Sequence, residues 1–446
     1  MSVSPARAAA FDILLRVERE SSYASDLLHS TGYERLSTPD HALATELVMG
    51  VLRWRSRLDA DIASASSQPL SKLDAEILIA LRIALYQLLW LDRVPQRAAL
   101  HESVELVKRA RKRSGAPFVN AVLRKLSAAP RKSDIPATDE CSSPEALATS
   151  LAHPLWLLQR WVREFGLSSA IQICQYDQAI PATALRLRTV DTEQRLNQDG
   201  ITLSPGKLVA AARRVVTGEV TKTQACRAGH IVIQDEGSQL VAALVGTGSH
   251  ILDCCAAPGG KTLAMADHNP TATIIAVELH PHRARLLQKL LQPHRSRIQI
   301  VAADARQLPV SSRFDRVLVD VSCSGTGTLA RNPEIKWRLT PDDLAQLHER
   351  QVAILRSALT QVAPGGRLIY STCSLEKEEN ENVVEGALGE NPSFRLLDCG
   401  TELDRLKSAG ELIWPDVSSL TRGPYLRTLP GIHPCDGFFA AILERV

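Results

Sequence analysis

No stretch of this chain is long and apolar enough to read as a membrane span. The best candidate, residues 77–91, is interrupted by Arg82 and Gln87, whereas a spanning helix needs about 20 apolar residues in succession. Nor is there an excess of one charge. Lys and Arg number 52 against 49 Asp and Glu, a net charge of +3, so any affinity for nucleic acid must come from local patches. The first twenty residues lack the basic start, apolar run and cleavage site of a signal peptide. The nine cysteines are odd in number and contain no C-x-x-C pair. With no secretory signal, they read as free thiols in a reducing cytoplasm, not as a disulfide framework, and no metal site is expected. There is no internal repeat and no low-complexity tract. Hydrophobic residues at 45% and charged residues at 23% exclude a disordered or collagen-like chain, and 446 residues predict two to four domains.

Four stretches differ in pattern. Residues 1–130 carry helical periodicity without strand signals, which predicts a small helical bundle. Ser4-Pro5 and Thr38-Pro39 read as helix starts, and Ser71 with Asp74 resembles a capping box before Leu73, Ile77, Leu78, Leu81, Leu85 and Leu88. Shorter helices are expected around 101–113 and 117–127. Residues 131–150, rich in Pro, Ser, Thr and Asp, read as a linker. Residues 151–230 read as a small α+β piece, with a Trp-rich helix at 153–166 and strands at 181–187 and 214–217. From 231 to 446, short apolar runs at 250–254, 273–277, 298–301, 316–319 and 367–370 alternate with helical stretches, the pattern of βαβ units and a parallel sheet. The run 437–443 reads as a late antiparallel strand.

The chemistry gathers at the ends of those runs. ILDCCAAPGGKTLAMA (251–266) reads as strand, glycine turn, helix, with Gly259 and Gly260 permitting close approach of a ligand to a helix N-terminus. A phosphate-cradling P-loop would need glycine at 255, where Cys255 stands. The next two strands end in Glu278 and Asp304. Ligands of open α/β sheets bind outside the carboxyl ends of the strands, so an adenosyl ligand fits, with Glu278 on its ribose and Asp304 near its adenine. The alternative is that each acid caps the helix that follows it. The fourth and fifth strands end in VLVDVSCSGTG and LIYSTCS, which puts Cys323 and Cys373 in polar turns on the same edge, where a reactive thiol is expected. Carbon 5 of a pyrimidine is a poor nucleophile until a thiolate adds at carbon 6. The chemistry then needs one activated cysteine, a carboxyl group near N3, and help with release. Asp320, three residues before Cys323, is placed to supply the carboxyl group. The target base must be single-stranded or flipped out of a helix.

LDCCAAPGGKT, the VE at 277–278, AAD at 302–304, CSGTG at 323–327 and YSTCS at 370–374 together resemble the RNA cytosine-5 methyltransferases. HESVELVKRA and FVNAVLRKL in the front half look like the NusB-like RNA-binding domain of the bacterial small-subunit ribosomal RNA enzymes of the RsmB (Sun/Fmu) type. IQDEGSQL and DGFFAAIL also match that family. The resemblance implies an all-α NusB-like RNA-binding domain followed by an α/β Rossmann-like class I S-adenosylmethionine-dependent methyltransferase domain. It implies S-adenosylmethionine as cofactor, contacted by Cys255, Ala256, Ala257, Pro258, Gly259, Gly260, Lys261, Glu278, Asp304 and Asp320. Cys373 matches the nucleophile and Cys323 the cysteine that aids release of the adduct. Lys261 is implied to lie near the methionine or target end. The implied substrate is small-subunit (16S) ribosomal RNA before full assembly. The alternative is a catalytically weak or inactive RNA-binding assembly protein. Two departures stand out: Asp320-Val321-Ser322-Cys323 where the family reads Asp-Ala-Pro-Cys, and ALRLRT (184–189) where it reads Leu-Arg-Val-Asn. Proline fixes φ, so Ser322 is expected to loosen its loop.

Lys108, Arg109, Arg111, Lys112, Arg113, Arg124, Lys125, Arg131 and Lys132 form a basic cluster suited to RNA phosphates, or else a solvated helix face. Arg331, Lys336 and Trp337 follow the Cys323 loop and are candidates to hold the target nucleotide. Nothing in the sequence points to a membrane or an obligate protein partner, so a cytoplasmic monomer is expected.

Overall fold

The computed structural model describes residues 3–446 apart from 21, 31, 34, 129–142, 190 and 311–312. Residues 131–142 of the expected linker, Arg131 and Lys132 among them, therefore lie outside the described residues, and its remainder is no linker but helix Pro144–Ser150, capped by the Ser143 hydroxyl. Two compact units are present: Met1–Ile180 with Leu329–Arg338, and Pro181–Thr328 with Leu339–Val446. The helices at 155–178, grouped by sequence pattern with the strands that follow, lie in the first unit. Among the described residues no helix is long and apolar enough to cross a membrane.

The first unit is a helical bundle whose central rod is helix Ala75–Trp90, buried on nearly every side. That is why its sequence came nearest to a membrane span. Its Arg82 is held by Asp59 through two hydrogen bonds of 2.7 and 2.8 Å. Tyr86 of this rod lies against helix Thr38–Arg53 at Gly50, where a Cβ would sit 2.0 Å from the ring. The expected capping box at Ser71 and Asp74 does not form. Ser71 lies in a separate short turn, and Asp74 makes no side-chain cap but pairs with Lys112 at 3.0 Å. The cap of helix Thr38–Arg53 is Ser37, one residue before the expected Thr38.

Segment Leu329–Arg338 completes this bundle through helix ends. The last carbonyls of a helix have no intrahelical partner. Trp337 Nε1–H donates to Leu52 O at 2.6 Å and Lys336 Nζ to Arg53 O at 3.0 Å, both at the end of Thr38–Arg53. Arg338 donates to Val17 O at 2.8 Å, near the end of Pro5–Glu20. Positive charge at a helix C-terminus is favourable. Lys336 is only 1% exposed, and burial pushes its ammonium down to about 7 despite the opposing pull of Asp177.

The second unit holds two sheets. Strands β1 (Ala184–Leu187), β2 (Thr202–Pro205), β3 (Ala212–Thr217) and β4 (Ile231–Ile233) form a small antiparallel sheet in the order β2-β3-β1-β4. The larger sheet contains β5 (His250–Asp253), β6 (Thr273–Glu278), β7 (Ile298–Ala302), β8 (Phe314–Asp320) and β9 (Val362–Thr372), all parallel, in the order β7-β6-β5-β8-β9. After β10 (Phe394–Leu397), β11 (Thr421–Arg422) and β12 (Tyr425–Arg427), strand β13 (Phe439–Arg445) runs antiparallel to β9 and pairs with β10 and β12. The strand order reverses at β5, with β6 on one side and β8 on the other. That switch point opens a crevice at the carboxyl ends of the strands.

Arg188, one of the departures in ALRLRT, closes the small sheet onto helix Gly260–His268. It forks Asp267 at 2.9 and 2.8 Å, and Arg186 reaches the same carboxylate at 2.8 Å.

Candidate active site

β5 ends in Asp253, which is buried and accepts from the Thr262 hydroxyl at 2.6 Å. Burial, opposed by that hydrogen bond and reinforced by nearby Asp320, pushes its carboxyl up to about 7. The turn that follows runs through Cys254, Cys255, Ala256, Ala257 and Pro258 to Gly259, whose φ of +110° is left-handed. A Cβ at Gly259 would also sit 2.6 Å from Leu287 and 2.8 Å from Leu290, so this glycine is required by the chain's own turn and packing. Gly260 opens the helix Gly260–His268. Beside it Gln234 donates to Ser238 at 3.1 Å, while its buried Oε1 has no protein partner.

Glu278, at the end of β6, is 5% exposed and accepts from the His280 amide at 2.9 Å. Asp304 follows β7. It caps the short turn Ala305–Gln307 through the Arg306 amide at 2.9 Å and is forked by the Arg306 guanidinium, which holds its carboxyl below the usual range. Both acids thus stand at successive strand ends; Asp304 caps the turn that follows it, as the capping alternative expects, whereas Glu278 makes no cap to helix Pro281–Leu290.

Asp320 ends β8, in register with Ser371 on β9. One oxygen accepts from Lys261 Nζ and the other from the Ser371 hydroxyl, each at 2.7 Å. Burial lowers the Lys261 ammonium, but Asp320 outweighs it and the net displacement is upward, so the charge persists. Lys261 also lies 5.1 Å over the Phe438 ring. Cys323 and Cys373 lie just past β8 and β9 with their sulfurs 3.4 Å apart. Contact with Cys373 and then burial push the Cys323 thiol well up, which keeps it neutral. The arrangement combines a thiol pair, an acid–lysine pair and a turn open to a ligand at one sheet edge. Such an arrangement is chemically capable of nucleophilic addition with proton transfer alongside.

Comparison with known proteins identifies the setting. The family described as 16S rRNA methyltransferase RsmB/F matches residues 244–444, and the NusB family matches residues 4–128. A probable ribosomal RNA small subunit methyltransferase B of Bacillus subtilis is 33% identical, with all of both chains covered. The chain belongs to the RsmB/F family of 16S rRNA methyltransferases. The Vibrio cholerae ribosomal RNA small subunit methyltransferase B is 30% identical over 98% of this chain and 97% of its own. The crystal structure of PH0851 shares the fold across both whole chains, with a TM-score of 0.80 at 23% identity. A NusB domain followed by a mixed, largely parallel methyltransferase sheet is thus the architecture of this RsmB/F chain.

The residues missed by sequence reasoning support the site from beneath. Glu379, from the acidic run EKEENE, is fully buried against both cysteine turns. Gln351 and Ser371 hold the Ser322 carbonyl and Asp320. An acid inside a charged run reads as solvated, so only the two serines that follow the cysteines, Ser324 and Ser374, signal a buried acceptor. The expectation that Ser322 loosens its loop meets a different situation. The Val321 amide donates to Ser371 O at 3.0 Å, and Gln351 donates to Ser322 O at 3.1 Å, so the loop is fastened through its backbone on both sides of the missing ring.

The expected RNA residues divide. Lys108, Arg113 and Arg124 line a groove of about 1050 Å³ together with Arg97, His101, Asn120 and Glu105, and Glu105 accepts from Lys108 Nζ at 2.7 Å. Arg109 and Lys112 turn elsewhere, to Asp12 at 2.8 Å and Asp74 at 3.0 Å, and Lys125 donates to Ser64 O at 3.2 Å. Arg111 is exposed at the helix end with a left-handed φ of +61°. Lys336 and Trp337 correct the expectation of a nucleotide contact, since their polar ends are spent on the helix carbonyls of Leu52 and Arg53. Arg331, in the same segment, is half-buried.

Proposed function

We propose that this chain methylates carbon 5 of a cytosine in small-subunit ribosomal RNA, through a covalent bond between Cys373 and carbon 6 of the base. The observation that carries this reading is the 3.4 Å contact between the Cys323 and Cys373 sulfurs, beside the Lys261–Asp320 pair. Cys373 is the nucleophile. As its sulfur bonds to carbon 6, electron density moves toward N3, and the Asp320 carboxylate takes the proton that the Cys373 thiol gives up and passes it to N3. Lys261 orients Asp320 and holds positive charge at the same point. After methylation the carbon 5 proton and the Cys373 sulfur must both leave. Cys323, a neutral thiol in contact with Cys373, gives its proton to that sulfur as it departs, and the thiolate so left on Cys323 takes up the carbon 5 proton, which restores both thiols.

The residues suit S-adenosylmethionine. Glu278 offers a buried carboxylate to a ribose diol, Asp304 an acceptor to an adenine amine once Arg306 releases it, and the unpartnered Gln234 Oε1 an acceptor to an ammonium. Cys255 to Lys261 would form the floor and Asp320 the rim. When bound, the sulfonium supplies an electrophilic methyl group to the activated carbon 5. The groove of Lys108, Arg113 and Arg124 in the helical unit would hold RNA phosphates.

The test is incubation with S-adenosylmethionine and protein-free, unmodified small-subunit rRNA, followed by nuclease digestion and mass spectrometry. The expected product is 5-methylcytidine. Cys373→Ala should abolish it, and Cys323→Ala should accumulate a denaturant-stable RNA adduct that the double variant lacks. Methylation on another atom, or an adduct persisting in the double variant, would overturn the assignment.

A further inference from the structure

We propose that Glu379 is the positioning residue for both thiols, a single carboxylate that keeps Cys323 and Cys373 in contact; this rests on the covalent reading above. Its oxygens lie between the turns that follow β8 and β9. Oε1 accepts from the Ser324 amide at 2.8 Å and from Gln351 Nε2 at 2.9 Å. Oε2 accepts from the hydroxyls of both Ser324 and Ser374, whose oxygens lie 3.0 Å apart. These serines directly follow Cys323 and Cys373, so each thiol is one residue away from the same buried anchor.

The anchor is itself fixed. Glu379 is 0% exposed, and the buried Tyr370 hydroxyl donates to its carbonyl at 2.6 Å. Its neighbour Asn380 donates to Ser374 O at 2.9 Å. Gln351 bridges from Glu379 to Ser322 O, and so reaches the residue before Cys323 as well. A carboxylate is costly to bury unless charge-assisted donors surround it, and here amide, hydroxyl and side-chain amide donors all converge. An apolar plug would fill this space without directing either serine. The geometry at stake is narrow. Two sulfurs at 3.4 Å can share a proton, and a drift of about 1 Å is enough to cost catalysis.

The experiment compares Glu379→Gln and Glu379→Ala with Cys323→Ala in the full-length chain, using S-adenosylmethionine and small-subunit rRNA. Turnover should fall roughly 10- to 100-fold, with KM for RNA within about twofold. The denaturant-stable adduct should accumulate as in Cys323→Ala, because Cys373 still adds but is released slowly. A second measurement needs no turnover. Phenylarsine oxide condenses with two adjacent thiols, forming two arsenic–sulfur bonds and losing its oxygen as water. The native chain should capture it through Cys323 and Cys373, Cys323→Ala should not, and Glu379→Ala should capture it at least about tenfold more weakly. A folded Glu379→Ala chain with native turnover and native arsenical capture would overturn the inference. So would turnover and adduct falling together while arsenical capture stays intact. If Cys323→Ala traps no adduct, the covalent reading fails, while arsenical capture still decides whether Glu379 holds the thiols together.

Discussion

Lys261 reaches from the helix after β5 to meet Asp320 at the end of β8, at 2.7 Å, so the two strands of the switch point share one charge pair. Asp320→Asn keeps the shape but weakens the acid, and Lys261→Met removes the cation. Either substitution should lower single-turnover methylation by roughly 10²- to 10⁴-fold, with a shift of only a few degrees in Tm. A native rate in either variant would remove the pair from the chemistry.

Asp253 gives a pH signature. Its folded pKa, raised to about 7, lies above its unfolded value, so its contribution to stability is present below about pH 4 and lost as pH rises through 7. Asp253→Asn can still pair with Thr262 and Cys255. Relative to the native chain, its stability in urea should improve between about pH 4 and 7, by at most roughly 4 kcal/mol. A constant difference across that range would show that Asp253 titrates normally.

Lys336 predicts the opposite slope. A lysine depressed to about 7 resists protonation in the folded chain, so its contribution is lost as pH falls through 7 and recovered toward pH 10. Lys336→Met should flatten that rise, change stability at pH 7 by only about 1 kcal/mol, and leave RNA affinity unchanged. Weakened RNA binding at unchanged stability would restore Lys336 as a nucleotide contact.

The groove in the helical unit predicts a salt effect. Arg97, Arg113 and Arg124 are exposed along it. Changing all three to Ala should flatten the plot of log affinity for RNA against log salt by about 2 units or more, whereas Arg109→Ala with Lys112→Ala should flatten it less. Equal effects from the two sets would mean that the groove has no special part.

Arg188→Asn restores the family's residue and removes the fork on Asp267. Urea unfolding should show a loss of roughly 1–3 kcal/mol, with RNA affinity unchanged. A fall in affinity without loss of stability would make Arg188 an RNA contact.

The parallel strands were legible because each is an apolar run closed by a polar turn, and the candidate site gathers at those turns: Asp253, Glu278, Asp304, Asp320 and Thr372 all stand at or just past strand ends. β2 and β10 were not legible. They are four residues each, and β2 ends in proline, so no alternation has room to appear. Cys323 and Cys373 announced themselves as thiols in polar turns. Glu379 did not, since burial of one acid within a run of acids depends on which serines fold over it. Lys336 and Trp337 misled for a related reason. Cation and aromatic side by side fit a base or a helix terminus equally well, and only the position of Leu52 and Arg53 decides between them.

The segment Leu329–Arg338 is translated some 150 residues after the bundle it completes. At roughly 5–20 residues per second, the nascent helices wait about 10–30 s before Trp337 and Lys336 arrive to cover the end of Thr38–Arg53. The NusB-like unit is thus finished only when about half of the methyltransferase match has been translated. A gene fragment ending at residue 180 would encode a bundle in which the carbonyls of Leu52 and Arg53 lose the partners that Trp337 and Lys336 bring.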